Sequence, residues 1–193
     1  MTLRMKGFDE LQKILDPASF ESRLVHNVKR ATAKVGLDAE REIKEDIYTG
    51  KFQRNAPVTT AIKGSARPLV NTGQLAKSIN SKQSDWDRVD VGVLRQGRVR
   101  DPDSGRFKKG DNDILNVAAV LHFGATIKVT EKMRNFFAMM SRQKPGEFTP
   151  LKQSTKVIVI PPRPFLESAI KKSQLDRYEN IWGKAIDEAI AGE

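Results

Sequence analysis

Few residues in this chain have the type and spacing that chemistry requires. The two histidines, His26 and His122, are far apart in sequence and each falls within a predicted helix, and there is no cysteine. With no HExxH or similar helical pair, the sequence offers no evident ligand set for a transition metal. Asp101, Asp103 and Gly105 imitate the start of a calcium loop, but the twelfth position holds Asn112, where an EF-hand needs a bidentate glutamate. Asp85, Asp87 and Asp90 could hold magnesium for phosphodiester cleavage. Three acids beside a strand are much more often a turn with a solvated edge, and no paired base lies near them. Phosphate-cradling glycine loops and nucleophile elbows are absent. The expectation is a protein that is not an enzyme and uses no cofactor or metal.

Charge is the stronger signal. The net charge is +10 over 193 residues. Residues 1–46 hold nine basic and nine acidic side chains, residues 47–110 thirteen and five, and residues 111–193 twelve and ten. The excess is therefore central. No acid interrupts the chain between Asp46 and Asp85. Such a segment meets an anionic partner or an acidic protein face, or is a solvated basic loop. A hydrophobic content of 38% against 30% charged residues leaves part of the chain outside a core. The length suits one domain. No apolar run approaches the roughly 18 residues of a membrane span, and the first residues lack the apolar core of a signal peptide, so synthesis in the cytoplasm is expected.

The elements that position these residues follow from periodicity. Phe20, Leu24, Val28, Ala31, Val35, Ala39, Ile43 and Ile47 recur every three or four residues behind Asp16 and Pro17, which predicts a helix from Pro17 to about Tyr48, either continuous or broken near Gly36. Unbroken, it would be roughly 48 Å long. Residues 50–70 lose periodicity and predict an arm without regular structure, with Lys51, Phe52, Arg54, Lys63 and Arg67 as candidates for contact with a neighbouring subunit. Asn71 or Thr72 is expected to cap a short helix carrying Leu75 and Ile79. Val89, Val91 and Val93 form a strand that pairs with residues 78–84. Residues 95–112 predict a protruding basic loop. Asp113 opens a helix over 114–123 that Gly124 closes, a short strand covers Ile127 and Val129, and Thr130 caps a helix bearing Met133, Phe136, Phe137 and Met140. Residues 156–160 form an apolar strand ended by Pro161 and Pro162, and Pro164 opens a long final helix. The predicted class is α+β, an antiparallel sheet packed by a long N-terminal and a long C-terminal helix, with extended loops.

Three separated blocks in fixed order, KGSARPLVNTGQLAKSI, VAAVLHFGATIKVTEKMRNFFA and IPPRPFLESAI, resemble the virion-morphogenesis family of tailed bacteriophages, the tail-completion and neck proteins. The resemblance covers roughly residues 57–170 and is carried by Lys63, Gly64, Pro68, Leu69, Thr72, Gly73, Leu75, Ser78 and Ile79, by Ala118, Phe123, Gly124 and Thr130, and by Pro161, Arg163, Pro164, Phe165 and Leu166. The basic insertion at residues 95–110 departs from the family pattern. Arg163, held extended before a proline, is expected either to fix a subunit contact through a carboxylate or to make an intrachain ion pair. The resemblance implies a structural virion protein of the head–tail junction, a hexameric or dodecameric ring joining portal or connector to tail tube or tail terminator. In such a ring Arg95, Arg98, Arg100, Arg106, Lys108 and Lys109 would face DNA in the channel without sequence preference, or an acidic partner ring. A tail terminator capping the tube, and a free basic DNA-binding protein, are the alternatives.

Overall fold

The structure is a computed structural model that describes residues 16–50, 52–63, 66–94, 114–146 and 148–191. Its elements are α1 (Pro17–Thr49), α2 (Pro57–Lys63), α3 (Gln74–Ser78), β1 (Ile79–Gln83), β2 (Val89–Val93), α4 (Ile114–Phe123), β3 (Ala125–Lys128), α5 (Glu131–Gln143), β4 (Val157–Ile160), a 3-10 turn (Phe165–Ile170) and α6 (Lys172–Ala191). The class is α+β: the long first and last helices pack on a small antiparallel two-stranded sheet, β1–β2. Two compact units share the chain. One takes α1 up to Glu42, Ser81–Gly92 and the chain from Ala169; the other takes Ile43–Asn80 and Val93–Ser168.

In the first unit α1 starts as its sequence dictates. The Asp16 carboxylate accepts from the Ser19 N–H at 3.1 Å, satisfying one of the free donors of the first turn. The helix runs unbroken through Gly36, where any β-carbon would collide with Val89 of β2. This glycine allows the hairpin to approach and does not end the helix. The approach is fastened by the Ser81 N–H and hydroxyl, which donate to Glu40 at 2.7 and 2.9 Å, and by the Gln83 amide, which donates to the Lys29 carbonyl at 3.0 Å. On α6, the Trp182 indole donates to Thr32 at 3.1 Å, and Arg177 meets Asp38 at 2.8 Å. Ala31, Val35 and Ala39 of α1 and Tyr178, Ala185 and Ala189 of α6 are buried. These are mostly small side chains.

The second unit is built around Ile43, Ile47, Leu69, Leu75, Ile79, Ile114, Ala118, Phe148 and Phe165, all buried. Its antiparallel ribbon pairs Ala125 with Ile160 and Lys128 with Val157. Gly124 enters the ribbon at φ 76°, and a β-carbon there would stand 2.7 Å from the Ile160 carbonyl oxygen. Only glycine meets both demands.

Four local expectations are corrected. Residues 50–70 are not without regular structure: Pro57 opens α2, suited by its fixed φ to a first helical position. The cap of α3 is Gly73, with no side-chain cap bond, in place of Asn71 or Thr72. Pro164 opens only a 3-10 turn, and the last helix begins separately at Lys172. The second short strand ends at Lys128 and does not reach Val129. The predicted Asp113 cap and the basic loop of residues 95–112 lie outside the described residues.

Candidate interaction surfaces

The second unit contains an internal lock made from all three motif blocks. Arg163 sits between Pro162 and Pro164, and its N–H donates to the Leu121 carbonyl at 2.9 Å and the His122 carbonyl at 3.2 Å, where α4 leaves carbonyls without helical partners. Its side chain is buried. Nε donates to the Gln53 carbonyl at 3.2 Å and Nη2 to the Asn55 amide oxygen at 3.3 Å, while the Asn55 amide donates to the Arg67 carbonyl at 3.1 Å. Burial lowers the Arg163 pKa, and its partners are neutral oxygens, so among the described residues the guanidinium makes no intrachain ion pair. The guanidinium closes the segment from Gln53 to Arg67 onto its own chain. Phe165 is fully buried with its ring edge-on to His122 at 5.2 Å.

The remaining candidates are distributed unevenly. Leu75 is buried, Gly73 caps α3 and Gly124 shapes the ribbon entry, while Thr72 and Pro164 are half-buried. In the arm, Phe52 is half-buried and Arg54 and Arg67 are exposed. Lys51, the Lys63 side chain, and Arg95, Arg98, Arg100, Arg106, Lys108 and Lys109 lie outside the described residues. Motif positions therefore gather in the second unit as architecture. Among the described residues no three His, Cys, Asp or Glu side chains group as metal ligands, and no helix is long and apolar enough to cross a membrane.

Two exposed surfaces were not among the expected sites. On α5, Thr130 caps the first turn by accepting from the Met133 N–H at 3.3 Å. Arg134 then ties the helix to the following loop, donating to the carbonyls of Lys152 at 2.8 Å, Gln153 at 3.3 Å and Thr155 at 2.6 Å. Although α5 is strongly amphipathic, none of its residues is buried; Phe136 remains 41% and Met139 48% exposed. In the first unit, Leu24, Val28, Trp86, Asp87, Trp182 and Ile186 line an open apolar cleft of about 380 Å³.

Compared with protein-family models, curated proteins and solved structures, the chain matches none.

Proposed function

We propose that this chain is a structural virion protein of the tailed-phage head–tail junction, a tail-completion or neck subunit that works by docking as part of a ring. What supports the reading is the order of the three motif blocks, together with their link to Arg163: the second block contributes the Leu121 and His122 carbonyls, the third Arg163 itself, and the first is reached through Asn55, which accepts from Arg163 and donates to the Arg67 carbonyl. Residues scattered over about a hundred positions thus serve one structural purpose, as expected of a motif that specifies a scaffold.

The ring reading gives the charge a use. A repeated basic loop at residues 95–112 would rim a channel, where sequence-independent phosphate contacts suit DNA that must slide. The test is genetic and structural. Particles made without the protein are expected to accumulate as filled heads and separate tails, and normal infectious virions after deletion would remove the reading. Isolated tails carrying the protein would assign it instead to the tail terminator position.

A further inference from the structure

We propose that α5 of one copy docks in the Trp86–Trp182 cleft of the next, making the subunit contact of the ring. The identity of the partner, a second copy, rests on the ring reading above; the fit of the two surfaces does not.

On the donor side, Phe136 and Met139 lie three residues apart and so project from one face of α5. Phe136 is held edge-on against Phe137 at 5.7 Å. Lys132 is one turn before Phe136 and Arg142 one turn after Met139, so the apolar pair is bracketed by cations. From Lys128 to Lys144 the chain carries five cations and the single acid Glu131. An apolar knob with a positive rim is the result.

The receiving side has the opposite character. No cation lines the cleft, Asp87 does, and the charged residues one helical turn from its apolar lining are Glu21 before Leu24 and Glu179 before Trp182. Trp86 is 39% and Ile186 41% exposed there. Beside them on α6 is Gly183, whose missing β-carbon would meet nothing within 4 Å. Mid-helix glycine costs about 1 kcal/mol relative to alanine, and nothing among the described residues requires it here. Close approach of a second backbone would. A buried aromatic cluster with a charged rim is also the usual composition of an interface centre. Because the two surfaces are different, the contact is heterologous and propagates from copy to copy until it closes.

The absence of cysteine makes the test direct. Full-length Met139→Cys and Ile186→Cys chains, mixed at high concentration and oxidised, are expected to give a disulfide-linked dimer that neither yields alone, and the double variant a ladder ending at the ring. Lys132→Glu with Arg142→Glu is expected to abolish the product. Gly183→Arg, whose β-carbon meets nothing within 4 Å among the described residues, should block cross-linking between Met139→Cys and Asp87→Cys while leaving the melting temperature unchanged or raised. A mixed yield no greater than that of Met139→Cys with the exposed control Arg54→Cys overturns the contact. So does efficient dimerisation of either variant alone, or product that forms only after residues 1–15 are deleted, which would assign the cleft to that segment. Failed cross-linking with a lost head–tail junction removes this contact and keeps the neck reading; cross-linking with normal virions after deletion does the reverse.

Discussion

Arg163 shows how neutral oxygens can hold a buried charge. Its guanidinium loses hydration on burial and donates instead to the Gln53 carbonyl and the Asn55 amide oxygen, and bonds to a charged donor are worth about 1.5–3 kcal/mol each. Arg163→Met removes both while keeping the volume apolar. Local opening of residues 52–55 should then rise by a factor of about 10 to 150, the equivalent of one such bond, read as faster tryptic cleavage after Arg54 with cleavage elsewhere unchanged. Unchanged cleavage would show that the arm is held by something else. Tyr178 supplies a second case. Its hydroxyl is buried without a described partner, and its pKa is raised, first by burial and then by Glu42 and Asp38. A raised pKa means the folded chain keeps the phenol proton longer than the unfolded chain, so this stability is complete below the ordinary tyrosine pKa of about 10 and declines as pH rises through it. Melting curves of Tyr178→Phe should therefore match the parent near neutral pH and fall less steeply in alkali.

Among the elements, α1 and α6 are stabilised by what they pack on, and α5 by its ends. Thr130→Ala removes the cap of α5 and is expected to lower stability by about 1 kcal/mol, measured as a shift in denaturant midpoint at constant slope. The ribbon is more sensitive. Gly124→Ala forces a β-carbon into a left-handed residue already touching the Ile160 carbonyl, so a loss well above about 1 kcal/mol is expected in the same experiment. Gly183→Ala should act in the opposite direction, raising stability by about 1 kcal/mol because α6 gains helix propensity and nothing obstructs the methyl.

For the molecule as a whole, the chain passes between its two units four times, after Glu42, Asn80, Gly92 and Ser168. Neither unit is a continuous segment. Both tryptophans, Trp86 and Trp182, belong to the first unit, so their emission reports that unit alone. Truncation after Ile170 deletes α6 and with it the Trp182–Thr32 and Arg177–Asp38 bonds. The remaining Trp86 is then expected to emit as a solvent-exposed indole. A folded spectrum would show that α1 and the hairpin are sufficient by themselves.

Periodicity and capping made the two long helices, the Val89–Val93 strand, the Thr130 cap and the proline-ended strand legible from the order of residues, because each depends on neighbours within a turn or two. The apolar stripe Ala31–Val35–Ala39–Ile43–Ile47 was readable for the same reason. What was not readable depended on distant partners. Whether Gly36 broke the helix was open until Val89 was found against it; whether Arg163 turned outward or inward was open until Gln53 and Asn55 were found around it; α2 was hidden in a short β-branched run. The cleft joining Leu24, Trp86 and Trp182 draws on segments about sixty and a hundred residues apart, and no local pattern encodes such a meeting. Local sequence thus set the type and amphipathic face of the long helices, whereas burial and close approach, which require atoms from elsewhere in the chain, settled which faces are closed inside and which stay exposed.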